Sequence, residues 1–160
     1  MIDKIVYKLY RVVSSTKKKF LLNRISYVGK DIGIGDYTVI QNPEQLTIGD
    51  YTQISDFTVL LALNRIEIGK NCRISTSCMI TSVSHRIASL DRIKDDEVKR
   101  QNMNITIGNN VWIGANCVIL PGTSIGDNSI IAASSVVKGN IPNDEIWGGY
   151  PASFRSKIIS

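Results

Sequence analysis

The sequence holds a single histidine and only three cysteines in 160 residues, and each shortage excludes something. One histidine cannot supply a three-histidine catalytic zinc site, and no Cys/His spacing fits a structural one. Cys72, Cys78 and Cys117 form an odd set without paired spacing, which argues for reduced thiols rather than a disulfide framework. Long apolar runs are missing too, so no stretch of the sequence reads as a membrane-spanning helix. The opening MIDKIVYKLYRVVSSTKKKF breaks every apolar stretch with charge and is not expected to act as a signal peptide. Aromatics are 7% of the chain and do not interleave with the basic residues, so no nucleic-acid motif appears. The formal charge of +5 favours anionic partners without choosing among them.

What the chain does have is a period. Ile107, Ile113, Ile119, Ile125, Ile131 and Val137 are each six residues from the last. Ile68, Ile74 and Ile80 share the step, as do Ile48, Ile54 and Leu60, and the pair Ile34 and Ile40. The phase slips by two before Ile48 and again before Ile68, and a long break separates Ile80 from Ile107. Gly follows the aliphatic at Gly35, Gly49, Gly69, Gly108, Gly114 and Gly126, and Asn stands two places later at Asn71, Asn110, Asn116 and Asn128. These residues are expected to take the left-handed backbone of tight corners. Next comes a small side chain, as at Thr52, Thr58, Cys72, Cys78, Cys117, Thr123, Ser129 and Ser135.

A six-residue step fits neither a helix nor a simple alternating strand. It fits a short strand plus a corner, three of which close a triangular coil that stacks on its neighbours about 4.8 Å away. Two packed sheets of short strands would have no reason to keep so strict a step. The cysteines, all at the small corner position, then need no redox or nucleophilic role.

The run ITIGNNVWIGANCVILPGTSIGDNSIIAASSVV and the closing IPNDEIWGGYPAS resemble the hexapeptide-repeat acyltransferases, over roughly residues 30–157. The galactoside, maltose and cell-surface polysaccharide O-acetyltransferases are the nearest kinds. The resemblance implies an all-β solenoid, a left-handed parallel β-helix, although parallel crossovers are ordinarily right-handed. We divide the chain into an N-terminal amphipathic helix, residues 1–22, and a β-helix domain, residues 23–160. That domain carries a loop at 81–104 and a closing segment at 141–160. Ile2, Ile5, Val6, Leu9 and Val13 make one apolar stripe on the helix, opposite Lys4, Lys8 and Arg11. The helix either caps the open first coil or meets a neighbouring subunit, or it lies on an anionic membrane surface.

Acyl transfer from a thioester to a hydroxyl needs a base near neutral pH, donors for the oxyanion, and two substrates held together. The run IGKNCRISTSCMITSVSH, from Ile68 to His85, matches the family's run into its catalytic histidine, which makes His85 the general base by resemblance. The same likeness implies that acetyl-CoA, with no metal, is held by Ala115 and Ala133 along the pantetheine, Lys138 nearby, and Arg155 and Lys157 toward the phosphate, with Trp112 at the channel or at a subunit contact. Ser55 matches a position that contacts the acceptor sugar, and Asp56 is its neighbour. The implied assembly is a homotrimer with its sites in grooves between chains, in the cytoplasm or at the inner face of the membrane. The expected function is O-acetylation of a sugar or cell-surface glycan precursor. A xenobiotic-modifying acetyltransferase and a non-catalytic β-helix scaffold are the alternatives.

Overall fold

The computed structural model describes residues 19–83 and 103–159, and these form a three-sided parallel β-solenoid with a left-handed turn. Residues 19–22 form a last helical turn. The rest of the expected N-terminal helix and residues 84–102, which include His85, lie outside the described residues.

Each coil lays one short strand on each of three faces. The first face stacks Tyr27–Val28, Leu46–Ile48, Ile66–Ile68, Ile105–Ile107, Ser124–Ile125 and Asn140–Ile141. The second stacks Gly33–Ile34, Gln53–Ile54, Arg73–Ile74, Trp112–Ile113, Ile130–Ile131 and Glu145–Gly149, and the antiparallel strand Ala152–Lys157 closes it. The third stacks Val39–Gln41, Val59–Leu61, Met79–Thr81, Val118–Ile119 and Val136–Val137. The aliphatics of the sequence repeat become three inward columns. Ile54, Ile74, Ile113 and Ile131 run down the second face, and Leu60, Ile80, Ile119 and Val137 down the third, all below 3% exposed. Each such side chain contributes about 2 kcal/mol by leaving water.

The phase slips have a single location. The wider corners at residues 41–47 and 61–67 and the long break after Ile80 all fall at the edge between the third and first faces. After the break the stack resumes in register, Ile105 on Ile66 and Ile107 on Ile68. One edge of the prism therefore absorbs every insertion while the two other edges stay regular.

The corners separate two residue types that the sequence reading had grouped. Asn71, Asn110, Asn116 and Asn128 do adopt positive φ, between 56° and 59°. The glycines of the repeat do not, since only Gly122, Gly139 and Gly149 have positive φ among glycines. The repeat glycines are there for space: a Cβ at Gly49 would stand 2.6 Å from the Gly69 carbonyl carbon, and one at Gly114 would stand 2.6 Å from the Ala133 nitrogen. Side-chain ladders tie the edge between the first and second faces together, with Asn71 Nδ2 donating to Asn110 Oδ1 (2.9 Å), Asn110 to Asn128 (3.1 Å) and Asn128 to Asp144 (2.7 Å).

The small corner residues point inward and close each turn. Thr52 Oγ1 donates to the Gly69 carbonyl at 2.8 Å and Ser129 Oγ to that of Pro142 at 2.7 Å. The thiols do the same: Cys72, Cys78 and Cys117 are free and buried, and their Sγ atoms lie 3.1–3.2 Å from the carbonyls of Gly108, Gly114 and Ala132. Burial pushes the Cys72 thiol above its ordinary pKa, and the hydrogen bond with Cys117 together with burial does so for Cys78.

Candidate active site

The edge between the second and third faces carries the candidate chemistry. From the N-terminal end its coils contribute Gly35-Asp36-Tyr37, Ser55-Asp56-Phe57, Ser75-Thr76-Ser77, Gly114-Ala115-Asn116, Ala132-Ala133-Ser134 and Gly148-Gly149. Residues far apart in sequence thus share one line, which passes from acidic and aromatic through hydroxyl-bearing to bare. Ser55 and Asp56 lie two coils from Ala115 on this line and three from Ala133, so the structure gathers four of the expected site residues on one edge.

A difference in capping distinguishes the two ends. At the edge between the first and second faces, four of the five residues that follow a glycine have their N–H capped by the next coil: Lys30 by Asp50 Oδ1, Lys70 by Asn109 Oδ1, Asn109 by Asp127 Oδ1 and Asp127 by Asn143 Oδ1, at 2.6–3.1 Å; Asp50, which faces Lys70, is the exception. At the active edge Asp56 Oδ1 caps Asp36 in this way at 2.6 Å. The capping position for Ala115 is Ala133, and for Ala133 it is Gly149, neither of which has a side-chain acceptor. The Ala115 and Ala133 amides therefore lack, among the described residues, the cap their counterparts receive, whereas the Gly149 N–H donates to Ser135 Oγ at 3.0 Å.

The remaining expected residues divide. The Arg155 guanidinium folds back over the end of the bare stretch, with Nε and Nη2 donating to the Gly148 carbonyl at 3.1 and 2.8 Å. Lys157 is exposed at the far end of the same strand, opposite Glu145. Trp112 lies on the outer side of the second face, 53% exposed, its Nε1 donating to Ser75 Oγ at 3.3 Å. It is thereby tied to the hydroxyl-bearing part of the edge. Lys138 stands at the other margin of the third face, beside Gly139, and within one chain it does not join the others. His85 lies outside the described residues, but Thr81–Val83, which lead to it, leave the solenoid at that same margin. Thr76 and Gly149 belong to the line and were missed in the sequence; a coil step of 20 from Asp56 finds Thr76, but Gly149 stands 16 residues after Ala133, a shorter last step that only the strand register gives. Among the described residues no cluster of three or more His, Cys, Asp or Glu could hold a metal.

The faces differ in their outer surfaces. The first presents Thr47, Glu67, Thr106, Ser124 and Asn140 in register. The third presents Val39, Val59, Met79, Val118 and Val136, an unbroken apolar stripe, with Val39 47% and Met79 40% exposed.

Comparison with known proteins bears on this arrangement. Residues 104–139 match the family described as bacterial transferase hexapeptide (six repeats). A putative lipopolysaccharide biosynthesis O-acetyl transferase, WbbJ of Escherichia coli K12, is 31% identical over 114 residues, covering 68% of this chain and 58% of that protein. The galactoside O-acetyltransferase of the same organism is 39% identical over 100 residues, covering 62% of this chain and 44% of that one. The chain thus spans about half the length of these relatives. Among solved structures, the hexapeptide-repeat acetyltransferase VCA0836 of Vibrio cholerae, complexed with acetyl coenzyme A, superimposes with a TM-score of 0.80 at 29% identity, over 91% of this chain and 78% of that one.

Proposed function

Because the chain belongs to the bacterial hexapeptide-repeat transferases, we propose that it is an acetyl-CoA-dependent O-acetyltransferase whose acceptor is a hydroxyl of a sugar or a cell-surface glycan precursor. The observation that carries this reading is the bare edge. A pantetheine arm is slender and bears two amides. It needs a track of small residues and backbone groups free to pair with it; the stretch from Gly114 through Ala133 to Gly149 supplies the small residues, and the uncapped Ala115 and Ala133 amides supply the backbone groups. The Arg155 guanidinium at the end of that track supplies positive charge where the cofactor's phosphates would emerge.

In the proposed reaction the acceptor oxygen attacks the thioester carbonyl carbon and its proton passes to the imidazole of His85. The carbon–sulfur bond then breaks, and the leaving thiolate takes the proton back. Backbone N–H groups on the bare edge are suited to steady the oxyanion. Ser55 and Asp56 would hold the acceptor.

In this reading the site is shared between chains. The segment bearing His85 leaves at one margin of the third face and the bare edge lies at the other. A side is about six residues wide, roughly 15–20 Å at 3.3 Å per residue. The apolar stripe on the face between them supports a homotrimer in which these faces pack and one chain's histidine serves its neighbour's edge. Free, buried thiols and a metabolic thioester donor support a cytoplasmic setting.

The test is thiol release from acetyl-CoA over a panel of sugars, glycans and xenobiotic alcohols, with wild type and His85→Ala. The expected result is sugar-dependent release that the variant lacks, while acetyl-CoA still raises its melting temperature. Absence of stabilisation by excess acetyl-CoA in the wild type would favour the scaffold alternative.

A further inference from the structure

The left-handed corner position on the active edge carries Tyr37, Phe57, Ser77, Asn116 and Ser134 in successive coils, with φ between 58° and 60°. Serine and asparagine suit that backbone, whereas aromatic residues are sterically disfavoured there. Neither ring is used by the core: Tyr37 is 63% and Phe57 56% exposed. The two rings stack with centroids 5.0 Å apart and planes within 5°. The stack is one coil spacing deep, so the rings lie across the solenoid axis, and Phe57 turns its second face toward the next coil. The residue in that coil is Ser77, whose side chain is too small to cover a ring. A step therefore opens above Phe57, about 4.8 Å high at Ser77 and roughly 10 Å high before the level of Asn116. The hydroxyls of Thr76 and Ser77 border it, Thr76 Oγ1 donating to the Asp56 carbonyl at 2.8 Å, while the Asp56 carboxylate turns to the preceding coil; the bare Gly114–Ala115 stretch closes the far side.

We propose that the face of Phe57 that no described residue covers, backed by the stacked ring of Tyr37, is a stacking floor for a pyranose ring of the acceptor. A flat aromatic face beside hydroxyls is the chemistry that recognises a sugar: the apolar C–H face of the ring packs on the aromatic, and its hydroxyls meet the polar rim. The step is one sugar ring high, and its open side leads to the bare track, so a ring seated there presents a hydroxyl toward Ala115. The proposal rests on the acetyl-transfer reading for its catalytic consequence, but the binding itself does not require it. It assigns the acceptor to carbohydrates, and it favours a pyranose over an acyclic or lipid hydroxyl.

The experiment compares wild type with Phe57→Asn, which removes the ring and suits the corner as Asn116 does, and with Phe57→Tyr, which restores a ring. Saturation-transfer NMR without cofactor uses methyl β-D-galactopyranoside and maltotriose as probes, with 1,5-pentanediol as the acyclic control. Acetyl transfer to the same three is followed by thiol release. The expected results are sugar saturation lost in Phe57→Asn and kept in Phe57→Tyr, with acceptor KM raised about fivefold in the former at unchanged acetyl-CoA KM. Equal sugar binding by wild type and Phe57→Asn overturns the proposal, as does failure of wild type to bind either sugar. A changed oligomeric state in Phe57→Asn with intact sugar binding also overturns it, placing the ring in a subunit contact. Sugar binding that depends on Phe57 without any acetyl transfer sustains the stacking floor and defeats the catalytic reading instead.

Discussion

Substitution of Gly114 by alanine tests whether the repeat glycines serve close approach or backbone conformation. Gly114 lacks the positive φ that would make a side chain strained in its own right. At such a position alanine ordinarily stabilises a protein by about 0.4–1 kcal/mol, because the unfolded chain loses freedom. Here the added Cβ would lie 2.6 Å from the Ala133 nitrogen, 2.8 Å from its Cα and 3.0 Å from the Ile131 carbonyl oxygen, all contacts with main chain or its Cα. None of these is the end of a flexible side chain, so relief requires two coils to part, and the overpacking costs about 1–3 kcal/mol. The net expectation is a loss of about 1–2 kcal/mol, or roughly 5 °C in melting temperature for a chain of this size. Gly139→Ala is the control: no atom of the described residues lies within 4 Å of the added Cβ, but its φ is +92°. It should lose about 1 kcal/mol through backbone strain, part of which Gly139→Asn restores, whereas Gly114→Asn restores nothing. Urea unfolding followed by circular dichroism at one fixed protein concentration measures all four. A Gly114→Ala variant as stable as wild type or more so would refute the close-approach argument.

Other outcomes follow from the same geometry. Val118→Asp, in the middle of the apolar stripe, should convert the proposed trimer to monomers in light scattering and abolish activity, while Thr106→Asp on the polar face does neither. Asn110→Ala removes both rungs of the amide ladder, to Asn71 and Asn128, and places alanine at φ 56°; a loss of about 2 kcal/mol in urea unfolding is expected. Cys72 should resist thiol reagents until the chain unfolds. Its raised pKa also gives stability a pH slope: the folded thiol keeps its proton when the unfolded one has lost it. Stability is then flat below about pH 8.5 and falls as pH rises above it. Cys72→Ser, which keeps a donor for the Gly108 carbonyl, should reduce that slope in urea titrations between pH 7 and 10.

The fold was legible because a solenoid repeats its constraint. Every inward position on a face meets the same column, so Ile107, Ile113 and Ile119 announce three faces in thirteen residues. The cysteines were legible for the same reason, since each takes the place of a threonine or serine in its column. The glycines were misread because two physical causes, positive φ and a crowding neighbour, select the same residue, and only coordinates say which coil stands opposite. The location of the insertions was hidden too. Two-residue slips and a long break look unrelated along the chain, yet all fall at one edge. Of the site, the small residues Ala115 and Ala133 could be carried over from a motif. Their alignment with Ser55 and Asp56 depends on coil lengths of 20 residues before the break and 18 after it, a count that no local motif contains.

The division of labour among the edges follows from what each can tolerate. The edge between the first and second faces is laced by side-chain caps and amide rungs in nearly every coil, so its polar groups are spent on holding the stack. The edge between the third and first faces accepts insertions and can send out a long segment without breaking register. Along the edge between the second and third faces, the Ala115 and Ala133 amides have no cap among the described residues, and the side chains change from coil to coil. A ligand lying along it crosses one coil about every 4.8 Å, so its chemistry is set by which residue each coil supplies. Exchanging Ala133 for Asp should therefore convert the bare end into a capped one: the new carboxylate would take the Ala115 N–H as Asp56 takes that of Asp36. Acetyl-CoA binding should weaken at least tenfold by calorimetry, from both the lost amide and the added negative charge, while urea stability stays the same or rises. Unaltered binding of acetyl-CoA by a folded Ala133→Asp protein would remove the bare edge from the cofactor's path.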